Sequence, residues 1–175
     1  MAVAGAAVTK ETPVSAEIFK QSMRLLAGGV CIATTGKDGG EWLGLTVTAV
    51  SSLTLEPPTV IVCVNRDAGA HTTMHASRRL CVNFLASDHV ELAQLFSSSS
   101  FKGSGRFDPS KWTAMTSGLP ALIGALAALD CEIIDQMTFG QHSVFICEVK
   151  AVRLEPEKEP LVHFNREFCE LLPIA

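Results

Sequence analysis

The chain has few charged residues, and its overall charge excludes one class of partner. Charged side chains make up 18% of its 175 residues, and the net charge is −4 at pH 7. A weakly acidic chain is not steered towards nucleic acid by its overall charge. A phosphate-bearing ligand would therefore need local basic groups and backbone N–H donors.

Three common sequence signals are also missing. The six cysteines form no C-x-x-C pair and no Cys/His spacing typical of a zinc site. There is no G-x-G-x-x-G, so a Rossmann dinucleotide site is not indicated. No apolar run approaches the length of a membrane span. Most of the cysteines fall in apolar, strand-like runs, which favours reduced thiols packed in a core and no metal site.

Apolar residues are abundant, at 47% of the composition, which is enough for one domain with a substantial core. Residues 1–14 are predicted to form a flexible leader, because the first nine are small and lack the basic segment of a signal peptide. Residues 15–175 are predicted to form a single domain of a cytoplasmic protein.

Strand patterns dominate this domain. Short turns join about seven predicted strands, and the two or three predicted helices do not alternate regularly with them. This order favours an antiparallel barrel with flanking helices over a doubly wound sheet. The first helix is expected to begin after the N-cap Ser15 and to end at Gly28-Gly29.

One predicted strand, 43–54, carries a row of hydroxyl side chains. One parity of this strand is apolar, and the other carries residues such as Thr46, Thr48 and Ser52, interrupted by Val50. Such a row is either a solvated sheet face or the wall of a site for a polar, planar ligand. Alternation alone favours the solvated face.

A loop with phosphate-binding character follows the next predicted strand, 59–64. Asn65 and Arg66 leave that strand, and His71 and Thr72 open a short helix. A helix N-terminus offers unpaired N–H groups to a phosphate, and Arg66 adds positive charge. A threonine that merely caps the helix explains the same pattern equally well.

Two later segments supply further candidates. The loop 97–107 is rich in glycine and serine and contains Phe101, Lys102 and Arg106, and loops of this length are commonly functional. Lys102 and Arg106 either close over phosphates or are ordinary solvated charges, which is the commoner case. His142 lies at the tip of a hairpin, where it is either a surface residue or a proton donor beside a redox cofactor. Arg166, after the last predicted strand, either pairs with an anion or caps the chain end.

Taken in order, these segments resemble the short-chain flavin reductases, the reductase components of two-component flavin-dependent monooxygenases. The resemblance covers residues 19–168. It lies in Gly-Leu-Thr-Val-Thr-Ala-Val-Ser-Ser-Leu from Gly44, in Glu-Pro-Pro-Thr-Val-Ile-Val-Cys-Val-Asn from Glu56, and in the Gly140-Gln141-His142 turn. The combination is specific, although no single motif is. The chain is similar to the reductase of 4-hydroxyphenylacetate 3-monooxygenase.

This resemblance implies an FMN-binding split barrel, a homodimer, and reduction of FAD or FMN by NADH or NADPH. It implies that reduced flavin passes to a partner monooxygenase acting on a phenol-type aromatic compound. The flavin would be lined by Thr46, Val47, Thr48, Ala49, Val50, Ser51 and Ser52. Asn65, His71 and Thr72 would hold its phosphates, with Phe101 and Lys102 closing over them. His142 would be the catalytic residue beside the nicotinamide, with Phe164, Asn165 and Arg166 on the NADH side.

Two positions depart from the family pattern, and two other functions stay open. Many relatives have Asp where this chain has Gln141, which affects how His142 is oriented. The family often has Asn where this chain has Thr48, which changes the hydrogen bonds to the flavin ring. The alternatives are an oxidase with tightly bound flavin, similar to the pyridoxamine-phosphate oxidases, and a non-catalytic flavin-binding module.

Overall fold

Strands are the main elements of the fold. A computed structural model describes residues 13–36, 40–98, 104–155, 157–172 and 174. The helices of this part of the chain are α1 (Ala16–Arg24), α2 (His71–Ser77) and α3 (Val90–Ser97). Its strands are β1 (Gly28–Gly29), β2 (Cys31–Gly36), β3 (Trp42–Val47), β4 (Val50–Leu55), β5 (Pro58–Asn65), β6 (Arg79–Phe84), β7 (Trp112–Ala114), β8 (Pro120–Leu122), β9 (Ala127–Phe139), β10 (His142–Leu154), β11 (Val162–Phe164) and β12 (Glu167–Cys169). None of these helices is long and apolar enough to cross a membrane.

Seven of the strands form one antiparallel sheet in the order β3-β2-β6-β9-β10-β5-β4. The long hairpin β9–β10 lies near its middle. Two small sheets, β1-β11-β12 and β7-β8, accompany it. The prediction of a mainly β, antiparallel fold with flanking helices is confirmed.

The sheet is not closed into a full barrel, but it is strongly curled. Its edge strands β3 and β4 follow each other in the chain, joined by residues 48–49 alone. Three Cα–Cα steps of the chain reach about 11 Å at most. The edges of a flat seven-stranded sheet would lie about 29 Å apart. The short link therefore brings the two edges together at one end of the sheet.

The prediction of one continuous strand over 43–54 is wrong. The chain leaves the β2 ladder after Val47, which pairs with Cys31, and joins the β5 ladder at Val50, which pairs with Val62. The hydroxyl row is thus divided between the two edges of the sheet. Pairing with two different neighbours outweighs the local alternation, because each half gains its own ladder of hydrogen bonds.

Helix α1 begins as predicted but ends earlier than predicted. The backbone N–H of Ile18 donates to Ser15 Oγ at 3.2 Å, which confirms the N-cap. The helix ends at Arg24 rather than at Gly28-Gly29, because the two glycines pair as β1 with β11. No residue of α1 is buried.

The core next to the candidate site is aromatic. Phe96 at the end of α3, Phe107 and Trp112 form what we call the aromatic cluster, with ring centroids 4.9–5.4 Å apart. All three side chains are buried. The Phe96–Phe107 and Phe107–Trp112 pairs are edge-to-face, and such packing fixes ring orientation. The cluster therefore holds the end of α3 and the segment around Phe107 in fixed positions.

Candidate functional site

A first cleft of about 650 Å³ lies beside β3. Its lining comes from β3, the loop after β5, the end of α3 and the segment before Phe107. The lining residues are Glu41, Leu43, Gly44, Leu45, Thr46, Asp67, Ala68, Gly69, Ala70, Phe96, Ser97, Ser98 and Arg106. Clefts of this size and apolar character suit drug-sized planar ligands. The first cleft can therefore accommodate a flavin ring or an adenine.

Thr46 is the member of the predicted flavin wall that lines the first cleft. Its hydroxyl donates to the backbone carbonyl of Ala93 in α3 at 2.7 Å. The hydroxyl proton is therefore committed to holding α3 against β3. A ligand in the cleft would find Thr46 as an acceptor and as an apolar methyl surface.

The other members of the predicted wall are not among the residues lining the first cleft. Val47 is buried and Val50 packs against the same core, so both are packing residues. Thr48 and Ala49 form the exposed link between the sheet edges. Ser51 and Ser52 lie exposed on β4, where Ser51 Oγ donates to the Ser52 carbonyl at 3.2 Å.

A second cleft, of about 520 Å³, adjoins the first at Asp67. Its lining is almost wholly polar and consists of Arg66, Asp67, His71, Thr72, His75, Thr138, Gly140, Gln141 and Ser143. Hydroxyl, imidazole, amide and guanidinium groups of this kind suit the ribose, amide or phosphate of a nucleotide. The two clefts thus differ in chemistry and share a boundary.

Hydrogen bonds fix the two histidines of the second cleft. His71 Nε2 lies 2.9 Å from Ser143 Oγ, and Ser143 Oγ lies 3.4 Å from Thr138 Oγ1. Gln136 Nε2 donates to His75 Nδ1 at 2.7 Å. The two imidazole rings are stacked with centroids 6.2 Å apart.

The second cleft disfavours a protonated His71. Burial lowers the pKa of His71, and the nearby His75 and Arg66 lower that pKa further. A neutral imidazole has one donor and one acceptor nitrogen, so it can bridge a ligand and a hydroxyl without adding charge. His71 is therefore a neutral hydrogen-bonding group near pH 7.

The phosphate site predicted at the start of α2 stays a prediction. The helix has seven residues, and its N-cap is Ala70, which makes no side-chain hydrogen bond. Asn65 Oδ1 accepts from the backbone N–H of Asp67 at 2.9 Å, so it stabilises its own loop. Of the three residues predicted to hold phosphates, His71 and Thr72 line the second cleft and Asn65 does not.

His142 lies next to the second cleft but does not line it. It starts β10 opposite Asn65 of β5, so these two predicted residues are neighbours across the ladder. Ser143 is buried and His142 is exposed, as expected for consecutive strand residues facing opposite ways. Gln141 and Ser143, on either side of His142, do line the cleft.

The remaining predicted residues lie in two other places. Asn165 and Arg166 have φ values of 48° and 74° and form the tight turn between β11 and β12, a strand that the sequence did not predict. Phe164 ends β11 and is 41% exposed. None of the three lines either cleft. Phe101 and Lys102 lie outside the described residues.

Sequence reasoning did not single out Asp67, His75 or Ser143. His75 could have been found from its spacing, since residues i and i+4 of a helix share a face and His71 was already a candidate. Ser143 could have been found from the alternation of side chains along β10, which places it on the opposite face of the strand from His142. Asp67 shows no signal in the sequence, because its position between the clefts depends on the packing of distant segments.

The thiols carry no visible chemistry. All six cysteines are free. Burial raises the pKa of Cys31, Cys81 and Cys147 to about 12. A thiol is nucleophilic only as its thiolate, so these buried side chains act as small apolar groups. No cysteine is among the residues that line the two clefts.

Comparison with known proteins identifies the family. A family model described as the flavin reductase like domain matches residues 23–172. The chain belongs to the flavin reductase-like family. The flavin reductase resemblance deduced from the motifs is thereby confirmed.

Curated relatives share the family across nearly their whole length. The chain is 39% identical over 156 residues to the NADH-dependent FMN reductase RutF of Stutzerimonas stutzeri, which covers 89% of this chain and 88% of the relative. It is 36% identical over 163 residues to the RutF of Pantoea ananatis, covering 93% and 85%.

Solved structures give the same fold. An NADH:FAD oxidoreductase from Streptomyces globisporus, in complex with NAD and FAD fragments, has a TM-score of 0.86 at 26% identity and covers 95% of this chain and 99% of its own. The styrene monooxygenase flavin reductase of Pseudomonas putida S12 has a TM-score of 0.79 at 27% identity and covers 89% and 99%.

Proposed function

We propose that this protein is an NADH:flavin oxidoreductase that reduces FMN and releases the reduced flavin. The observation that carries the proposal is the pair of adjoining clefts, one with apolar walls and one polar, in a member of the flavin reductase-like family. Hydride transfer needs two ligands side by side. The first cleft suits the flavin ring, and the second suits the polar parts of the nicotinamide nucleotide.

The chemistry needs positioning more than it needs a protein nucleophile. A hydride passes from C4 of the reduced nicotinamide to N5 of the flavin, leaving NAD⁺, and solvent supplies the proton that completes the reduced flavin. Reacting atoms must approach to about 3–3.5 Å. Residues of the second cleft, His71 and Thr72 among them, orient the dinucleotide through hydrogen bonds. His142, at the rim of the cleft, is a proposed nicotinamide contact.

We further propose that the reduced flavin serves a separate flavin-dependent oxygenase. Among the relatives of known structure, one is the flavin reductase of styrene monooxygenase and another is the flavin reductase component of a two-component tryptophan halogenase. These named partners differ in substrate. A phenol-type substrate for the partner of this chain therefore stays a prediction from the sequence resemblance.

Steady-state NADH oxidation tests the proposal. Extensively dialysed protein should oxidise NADH when FMN is added, turn over many equivalents of flavin, and be slower with NADPH. Failure to oxidise NADH with FMN, FAD or riboflavin would overturn it. Protein that stays yellow after dialysis and does not turn over free flavin would point to an oxidase with tightly bound flavin.

We also propose a homodimer, supported by apolar residues left exposed in the single chain. On α1 and its ends these are Val14, Phe19, Met23, Leu25 and Leu26, and on the large sheet they include Leu53, Leu55, Met137, Phe139 and Leu154. An isolated helix of nine residues is marginal in water and gains its stability by packing an apolar face. A second copy of the chain would cover that face.

A further inference from the structure

Two histidines of α2 lie side by side in the wall of the second cleft. His71 and His75 are four residues apart, so they share one face of the helix, and both line the cleft. Their rings are stacked at 17°, with centroids 6.2 Å apart. The His71 ring also lies 5.7 Å from the buried ring of Phe145 in β10. Packing against the β9–β10 hairpin therefore fixes the pair.

The same hairpin gives each imidazole a polar partner that tolerates either protonation state. Ser143 Oγ lies 2.9 Å from His71 Nε2, and Gln136 Nε2 lies 2.7 Å from His75 Nδ1. A hydroxyl donates to a neutral imidazole or accepts from a protonated one, and a carboxamide does the same after turning by 180°. Gln136 Oε1 has no hydrogen-bond partner in the described structure, so this oxygen gives up no contact when the amide turns.

The fixed charges of the second cleft cancel. Among the described residues that line it, Arg66 is the only fixed cation and Asp67 the only carboxylate. With both imidazoles neutral, the lining carries no net charge. Burial, His75 and Arg66 all lower the pKa of His71, which favours this neutral state in the free protein. The cleft becomes positive only when an imidazole takes up a proton.

No other ionisable side chain among the described residues lines this cleft. His142 in β10 and Asp135 in β9 lie beside it but face away, as alternate residues of a strand do. Arg78, the C-cap of α2, does not line it. The histidine pair is thus the group whose charge can change near neutral pH.

An anionic ligand reverses the preference for neutral imidazoles. A negative charge within about 4–6 Å favours the protonated ring, whereas two protonated rings in stacked contact repel each other. One proton shared by the pair is therefore the expected uptake. The diphosphate of a nicotinamide dinucleotide supplies two negative charges that do not titrate near neutral pH, and Arg66 can contact its oxygens with both arms of the guanidinium.

We propose that Arg66, His71 and His75 form the subsite for the diphosphate of the nicotinamide dinucleotide, and that the histidine pair takes up one proton when the dinucleotide binds. The inference rests on the proposed function of the second cleft. Because the bound state holds a proton that the free state lacks, the affinity for the dinucleotide falls as the pH rises.

The test measures the binding of NAD⁺ to protein saturated with oxidised FMN, a mixture in which no hydride is transferred. Between about pH 6.5 and 8.5 the dissociation constant should rise roughly threefold to tenfold for each pH unit, tenfold being the limit for one proton. Isothermal calorimetry in two buffers of different ionisation enthalpy counts the protons directly and should give roughly 0.5 to 1 near pH 7.

His71→Asn with His75→Asn keeps polar groups at both positions and removes both titrations. This variant should bind NAD⁺ roughly 10-fold more weakly than wild type at about pH 6.5 and should lose the pH dependence. His163→Asn is the matched control, because His163 of β11 lines neither cleft, and it should keep the wild-type pH dependence.

Arg66→Gln separates the subsite from the proton. It should weaken NAD⁺ binding at every pH and leave proton uptake in place, because the guanidinium does not titrate. Unchanged affinity in Arg66→Gln would overturn the subsite, and so would the absence of NAD⁺ binding to the wild-type protein.

Calorimetry on the wild-type protein decides the case in which the double variant does not fold. Binding of NAD⁺ without proton uptake would overturn the proposal, as would an unchanged pH dependence in a folded His71→Asn, His75→Asn protein. Steady-state NADH oxidation with FMN at a single pH tests the reductase activity separately. An active reductase that binds NAD⁺ without a proton would thus refute this inference and leave the proposed function standing.

Discussion

His89 shows how one buried side chain couples stability to pH. Its Nδ1 accepts from the backbone N–H of Ala86 at 3.1 Å, and its Nε2 lies 3.6 Å from an Asp88 oxygen. Burial lowers the pKa of His89, the Asp88 carboxylate opposes this shift, and Lys158 and Lys111 add to it. The neutral imidazole is therefore the form that the folded protein favours.

The free energy of unfolding should consequently fall as the pH is lowered through about 6.5. Below that pH the unfolded chain binds a proton at His89 before the folded chain does. His89→Asn keeps an acceptor near the Ala86 N–H and removes the titration, so its stability should fall less between about pH 7.5 and 5.5. Urea denaturation of both proteins measures this. The same fall in both would show that other groups, such as His71, account for it.

Individual site residues were partly predictable. His71 and Thr72 were found because a polar segment after a buried strand is visible in the sequence, and both line the second cleft. The use of the Thr46 hydroxyl could not be foreseen, because its acceptor, the Ala93 carbonyl, is 47 residues away.

Among the elements, β6 is joined to two neighbours by one buried amide. Asn83 Nδ2 donates to the Ile32 carbonyl of β2 at 3.1 Å, and its Oδ1 accepts from the backbone N–H of Leu122 in β8 at 2.8 Å. Asn83 is fully buried. The side chain thus links the large sheet to the small β7–β8 sheet.

Asn83→Ala should lower the free energy of unfolding by about 3 kcal/mol, since it removes two buried hydrogen bonds and leaves the Leu122 N–H without its acceptor. The corresponding loss in Tm is roughly 10 °C for a chain of this size. Gln21→Ala on the exposed face of α1 is the control and should change stability by less than about 0.5 kcal/mol. A comparable Tm for the two variants would contradict the structural role given to Asn83.

The break between β3 and β4 is visible in the sequence as a change in the alternation of apolar residues. The apolar parity that runs through Leu45 and Val47 shifts at Val50, which is where the chain enters a new ladder. Such a shift marks a break in a strand. Alternation does not reveal which neighbours the two halves choose, because pairing with β2 and with β5 depends on the whole sheet.

At the scale of the whole molecule, the exposed face of α1 predicts the oligomeric state. Phe19 and Met23 are 59% and 46% exposed in the single chain. The protein should have about twice the 18.7 kDa mass of one chain in light scattering. Phe19→Glu with Met23→Glu should shift the protein towards monomer and lower its Tm, because a dimer is stabilised by mass action.

A charge-matched variant on the same helix serves as the control. Lys20 and Gln21 are exposed on α1, and Lys20→Gln with Gln21→Glu, which changes the net charge by the same amount as the test variant, should leave the dimer intact. Dissociation by both double variants would indicate a general effect of added charge. A dimer that persists in Phe19→Glu with Met23→Glu would place the interface on the sheet instead.

The short covalent link 48–49 holds the two edges of the sheet together and so maintains the curvature of the sheet. In the described structure β3 and β4 each have one strand partner, whereas β6 and β9 have partners on both sides. Amide hydrogens on the open sides of the edge strands exchange with solvent through small local openings, whereas those of the inner strands need larger ones. In deuterium exchange, β3 and β4 should therefore label rapidly along their open sides. The link 48–49 nevertheless keeps these two edge strands close together.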